Sequence, residues 1–98
     1  MSFVQLIEFK TNRLGEMDAL MDEWMSTTQA KRTATKAVMT SDHDQANCYI
    51  EMVEFPSYEE AMRNSAMPET DKFAARMAAL CDGPPTFRNL DVRREDSL

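Results

Sequence analysis

The sequence is poor in the residues that build phosphate-binding loops and disulfide frameworks. Only two glycines occur in 98 residues, which excludes a glycine-rich loop that cradles phosphate. The two cysteines, Cys48 and Cys81, are far apart and show no metal-ligand spacing, so we expect buried thiols in a reducing compartment. The single histidine, His43, lies between two aspartates in a predicted turn, where we expect it to be exposed rather than to bind a metal.

Long apolar runs, basic runs and cofactor fingerprints are also missing. No stretch approaches the roughly 20 apolar residues of a membrane span, and the N-terminus MSFVQLIEFK does not read as a signal peptide. We therefore expect a cytoplasmic protein with no membrane partner. The formal net charge of -6 argues against nucleic acid as a partner. We expect no cofactor and no metal.

Residue spacing predicts four strands and a first helix followed by a broken second one. Alternating or β-branched residues favour strands over 3–10, 33–40, 48–55 and 86–93. Helical spacing favours helices over 14–31, 57–66 and 68–80, with N-caps at Thr11 or Asn12 for the first and at Ser57 for the second. Pro68 breaks the second helix and suits the start of a new one.

The element order β-α-β-β-α-β predicts a ferredoxin-like α+β fold with a four-stranded antiparallel sheet. We expect a single domain over 1–94 and a frayed tail over 95–98. Both faces of the first and third strands carry large apolar residues, yet the helices of this fold cover only one face. The second face would expose a large apolar patch, so the sequence predicts a homodimer whose sheets pack together.

A resemblance to a known family lies in one part of the chain. The run Val53-Glu54-Phe55-Pro56-Ser57-Tyr58-Glu59-Glu60-Ala61, followed by Asn64-Ser65 and Pro68-Glu69-Thr70, resembles the dimeric α+β barrel superfamily. It is similar to the small actinobacterial-type members near the antibiotic-biosynthesis monooxygenases. The resemblance implies a dimeric α/β barrel with a cavity between each sheet and its helices. The activities it implies are cofactor-free oxidation of aromatic polyketides, haem degradation and related small-molecule chemistry. The haem-degrading relatives use a histidine in the second-helix region, and its absence here argues against haem.

Five residues are candidates for a binding site, namely Trp24, Glu51, Asn64, Phe73 and Arg88. Glu51 lies on a covered strand, where a carboxylate must be paired, protonated or hydrogen-bonded. Either Arg88 pairs with Glu51 or Glu8, which would make the carboxylate structural, or burial raises the pKa of Glu51 and makes it a base for a phenol or enol. Trp24 and Phe73 are core residues or the apolar walls of a cavity, and Asn64 caps a helix or donates to a ligand.

Two functions fit these residues. The first is a small-molecule-binding dimer, such as a monooxygenase-like enzyme that acts without cofactor on an aromatic or polyketide-like compound. The second is a non-catalytic structural or ligand-carrier dimer, whose cavity would be filled by some of the nine methionines. A cavity with converging polar groups favours the first.

Overall fold

The computed structural model describes residues 2–98 and folds them into one antiparallel sheet with three helices. The elements are β1 (Phe3–Lys10), α1 (Leu14–Thr28), β2 (Lys36–Ser41), β3 (Cys48–Phe55), α2 (Tyr58–Ser65), α3 (Pro68–Leu80) and β4 (Thr86–Asp91). The strand order β2-β3-β1-β4 puts the two most apolar strands at the centre. The ferredoxin-like α+β fold predicted from the element order is confirmed.

The helices cover the sheet face that carries the aromatic residues of β1. Phe3 lies opposite Phe55, and Gln5 lies opposite Val53, so these side chains share one face. Phe3, Val53 and Phe55 form the core together with apolar residues of the three helices. The buried cluster is Phe3, Ile7, Phe9, Met17, Leu20, Val53, Phe55, Ala61 and Met77.

The other face of the sheet has no helix on it among residues 2–98. It carries the alternate residues of each strand. Met52 of β3 lies there between Leu6 of β1 on one side and Val38 of β2 on the other. Val38 and Met52 are each 39% exposed, and Leu90 is 37% exposed. This surface is called the open face below.

The broken helix forms as its sequence predicts. The Ser57 hydroxyl accepts a hydrogen bond from the Glu60 backbone N–H at 3.2 Å and so caps α2. Met67 has the extended backbone (φ -65°, ψ 136°) that a following proline favours, and Pro68 begins α3.

The ends of α1 differ from the prediction. Arg13 is the N-cap and its side chain makes no capping hydrogen bond. The Thr11 hydroxyl accepts from the Arg13 N–H and donates to the Leu80 carbonyl, so it joins the start of α1 to the end of α3. The helix ends at Thr28 rather than near Lys31, because the Lys31 N–H bonds to the Thr28 carbonyl only three residues back.

Strand β2 begins later, and strand β4 ends earlier, than the sequence predicts. The Thr33 N–H donates to the Asn64 side chain and the Thr33 hydroxyl donates to the Glu60 carbonyl, which ties this segment to α2 and delays β2 until Lys36. Strand β4 ends at Asp91, opposite Phe3, the first residue of β1. Beyond this pair one backbone hydrogen bond continues, from the Val92 N–H to the Ser2 carbonyl at 3.0 Å.

The cysteines are less buried than the sequence predicts. Cys48 and Cys81 are free thiols, and both are half-buried rather than buried. No helix between Ser2 and Leu98 combines the length and the apolar character needed to cross a membrane.

Candidate functional site

A cavity of about 400 Å³ lies between the helices and the helix-facing side of the sheet. This volume falls within the range of small-molecule sites, which is about 300–1,000 Å³. Its walls are mostly apolar. The lining includes Gln5, Ile7, Trp24, Arg32, Glu51, Asn64, Thr70, Asp71 and Phe73.

Glu51 enters this cavity from the middle of β3. It lies directly between Ile7 on β1 and Met39 on β2, both apolar. The residue is 4% exposed, and no ion pair among residues 2–98 includes it. Between Ser2 and Leu98, no fully buried side-chain polar atom lacks a hydrogen-bond partner. The unpartnered Glu51 oxygens therefore keep some accessible surface, and this surface faces the cavity.

This environment favours the neutral form of the carboxyl group. Burial raises the pKa of Glu51 from 4.5 to about 7, because the apolar surroundings disfavour the charged form. A carboxyl group with a pKa near neutrality can both take up and give back a proton at ordinary pH. Glu51 thus has the chemical character of a general acid–base.

Trp24 of α1 and Phe73 of α3 form an aromatic wall of the cavity. Their ring centroids are 5.9 Å apart and their planes are inclined by 45°. The Trp24 indole N–H donates to the Thr70 hydroxyl at 3.0 Å, so this donor serves the packing of α1 against α3 and is not free for a ligand. The wall offers a planar ligand two ring faces or edges.

Arg32 lies beside this wall, just beyond the end of α1. Its guanidinium carbon is 5.9 Å from the centroid of the Trp24 ring, within range of a cation–π interaction. One guanidinium nitrogen donates to the Met25 carbonyl at 2.8 Å. That carbonyl is among the last four of the helix, which lack a partner within it.

Asn64 approaches the cavity from the end of α2. Its side chain is buried, and its carbonyl oxygen accepts from the Thr33 N–H at 3.2 Å. Its amide NH₂ has no partner among the described residues and, by the same reasoning as for Glu51, keeps accessible surface in the cavity. Asn64 therefore fixes the segment before β2 and also has a donor left over.

The predicted site residues do not all meet. Trp24, Glu51, Asn64 and Phe73 line one cavity. Arg88 lies opposite Leu6 in the β1–β4 pairing, which puts it on the open face and away from Glu51. The register thus separates Arg88 from Glu51. A one-residue offset in β4 decides this, since neighbouring residues of a strand point to opposite faces. Glu8 shares the open face with Arg88, but no ion pair among residues 2–98 includes either of them.

Arg32 and Thr70 are the site residues that sequence reasoning missed. In the sequence, Lys31 and Arg32 stand out only as positive charges at the C-terminal end of the predicted first helix, where such charges are favourable. The signal that could have found Arg32 is its spacing of eight residues from Trp24, about two helical turns. No group of three or more potential metal ligands occurs among residues 2–98.

Comparisons with known proteins identify the fold. No family model matches the chain, and no curated protein matches its sequence. Among solved structures, it is similar to SnoaB, a cofactor-independent oxygenase from Streptomyces nogalater, with 13% identity, a TM-score of 0.80 and coverage of 96% of this chain and 95% of that one. A Mycobacterium tuberculosis protein matches with 15% identity, a TM-score of 0.78 and coverage of 99% and 100%. An antibiotic biosynthesis monooxygenase matches with 14% identity, a TM-score of 0.73 and coverage of 96% and 100%. This likeness shows that the chain has the ferredoxin-like α+β fold of the antibiotic biosynthesis monooxygenase structures, as its sequence resemblance implied.

Proposed function

We propose that the cavity binds a small planar aromatic compound with an ionisable hydroxyl group, and that Glu51 removes the proton of that hydroxyl. The observation that carries the proposal is a buried, unpaired carboxyl group in a mostly apolar cavity. A purely structural carboxylate at this position would need a partner, because an unpaired buried charge is costly. The aromatic wall of Trp24 and Phe73 would hold the ring, and the Asn64 amide would donate to a carbonyl on the ligand.

The reaction class that this arrangement supports is a cofactor-independent oxygenation. Removing the proton of a phenol or enol makes its ring electron-rich, and this anion is the form that can react with dioxygen directly. The residues of this chain would position the ligand, exclude water and take up the proton. SnoaB from Streptomyces nogalater, whose structure has the same fold, is described as a cofactor-independent oxygenase.

Binding of a naphthol should depend on pH through the ionisation of Glu51. Below the pKa of the ligand hydroxyl, which is about 10, the ligand is neutral. The ionised carboxylate accepts a stronger hydrogen bond from it than the neutral carboxyl group does. We expect the affinity to increase by up to about tenfold between about pH 6 and about pH 8, because the pKa of Glu51 lies near the middle of this interval. Equilibrium dialysis measures the affinity at each pH.

Two variants make this measurement specific. Glu51→Gln should bind the naphthol with an affinity that no longer changes with pH. Glu54→Gln is the matched control, since Glu54 lies on the same strand but faces the other side of the sheet, near Lys36. It should behave like the parent. A Glu51→Gln variant that retains the full pH dependence would rule out the proposed role. Binding without uptake of dioxygen in an oxygen electrode would identify a carrier instead of an oxygenase.

We propose that a second copy of the chain covers the open face. Large apolar residues there stay more than a third exposed in one copy, and they lie on β2, β3 and β4 of the same sheet. A two-fold axis would pack the two sheets against each other and close the barrel. A small domain gains core from such an interface, since it buries only about 60–65% of its unfolded surface by itself.

Sedimentation should therefore find a dimer that buries at least about 1,200 Å² in total. Met52→Arg should shift the equilibrium to the monomer, because it introduces a charge at the centre of the open face. Ala75→Arg, on the exposed surface of α3, introduces the same charge away from that face and should leave the dimer intact. A parent that sediments as a monomer at micromolar concentration would exclude the dimer.

A further inference from the structure

We infer that the ligand of this cavity is an organic anion, a planar ring that bears a carboxylate, and that Arg32 selects it by binding the carboxylate. The inference rests on the proposed function, because it names the class of ligand for the same cavity. Its evidence is separate and concerns the position and the unused hydrogen-bonding capacity of one cation at the cavity wall.

The first observation is that Arg32 is held in place without an acidic partner. No ion pair among the described residues includes it. The adjacent Lys31, by contrast, is paired with Glu69 on α3. A guanidinium has five N–H donors, and the hydrogen bonds within residues 2–98 use one of them, to the Met25 carbonyl.

The second observation is that the guanidinium is preorganised. It lies within cation–π range of the Trp24 ring and is held by its hydrogen bond to the Met25 carbonyl. Trp24 is itself fixed by its hydrogen bond to Thr70 and by its contact with Phe73. Arginine matches a carboxylate in a planar, two-bonded geometry that lysine does not provide. A ring that packs along the aromatic wall would thus carry a carboxylate toward Arg32.

The third observation is that the other charged groups of the cavity lining are paired, exposed or distant in the fold from the end of α1. Lys36 lies 4.0 Å from Glu54 and is engaged on the far side of the sheet. Asp71 is exposed at the first turn of α3, and Glu51 is deep in the cavity on β3. Arg32 is therefore the one cation of the cavity lining, among residues 2–98, that forms no ion pair. A ligand with a hydroxyl at one end and a carboxylate at the other would satisfy Glu51 and Arg32 together.

The test compares two ligands that differ by the carboxylate alone. They are a naphthol and the hydroxynaphthoate whose carboxylate lies at the far end of the rings from the hydroxyl. The parent should bind the hydroxynaphthoate at least about tenfold more tightly, as expected of a hydrogen bond between charged groups. Arg32→Gln should abolish this preference, and Arg32→Lys should retain part of it. Arg76→Gln is the matched control, because it removes the same charge from a residue that pairs with Glu23 outside this cavity.

A second measurement on the parent covers the case in which Arg32→Gln does not fold, since Arg32 also binds the end of α1. Raising the salt concentration should weaken binding of the hydroxynaphthoate and leave binding of the naphthol unchanged. Equal affinities for the two ligands in the parent, or an unchanged preference in Arg32→Gln, would overturn the role of Arg32 while the proposed cavity stands. If neither ligand binds, the proposed function itself fails and this inference with it.

Discussion

Replacing Glu51 with glutamine should raise the free energy of unfolding by about 3 kcal/mol at about pH 8.5. The physical reason is the burial that raises the pKa of Glu51 from 4.5 to about 7. At about pH 8.5 the carboxyl group is ionised in the unfolded parent. Folding must then either bury this charge or protonate the group at a pH above its pKa, and both cost free energy. Glutamine has nearly the same shape and carries no charge, so the variant avoids this cost.

The sign of the effect follows from the two protonation states. Below pH 4.5 the carboxyl group is protonated in both the folded and the unfolded chain, so its ionisation does not lower the free energy of unfolding of the parent. As the pH rises from 4.5 to 7, the unfolded chain releases its proton while the folded chain keeps it, so folding becomes less favourable. The advantage of Glu51→Gln should grow across this interval and level off above it.

Urea unfolding at a series of pH values, at one protein concentration, measures this difference. Glu54→Gln is again the control, since Glu54 is half-exposed on the other face and no comparable gain is expected from it. A Glu51→Gln variant that is less stable than the parent at about pH 8.5 would mean that Glu51 has a stabilising partner when it is ionised.

Replacing Phe73 with alanine should lower the free energy of unfolding by about 2–3 kcal/mol, somewhat less than the roughly 3–5 kcal/mol of a fully buried phenylalanine. Phe73 packs on the core and on Trp24 but is only half-buried, because one side of its ring borders the cavity. The truncation therefore removes contacts with α1 and enlarges a space that already exists.

Pro68→Ala is the comparison for that loss. Pro68 is exposed at the first position of α3, where a missing N–H has no cost. Replacing it adds freedom to the unfolded chain and should cost only about 0.4–1 kcal/mol. Thermal and urea unfolding of the two variants would contradict this reading if their losses of stability were equal.

The sequence by itself determined the elements and their order. Strands β1 and β3 have the limits that their residues predict, because each is a run of strand formers too short for a typical helix. The capping residue Ser57 and the helix start at Pro68 follow from local backbone chemistry, which depends only on neighbours in sequence. Four of the five residues predicted for a binding site line one cavity, and their binding of a ligand stays a prediction. Glu51 stands out without a structure because it is an acidic residue within an apolar strand.

Tertiary structure decided which faces and ends meet. Strand β2 begins at Lys36 because Thr33 is held by α2, a contact over about thirty residues that no local pattern encodes. Arg88 and Glu51 lie on opposite faces because the register of β4 against β1 sets the direction of each side chain. Arg32 reaches the cavity because α1 ends at Thr28 and the Arg32 side chain lies beside Trp24 and Met25. Periodicity describes one element at a time, whereas a site depends on where several elements pack together.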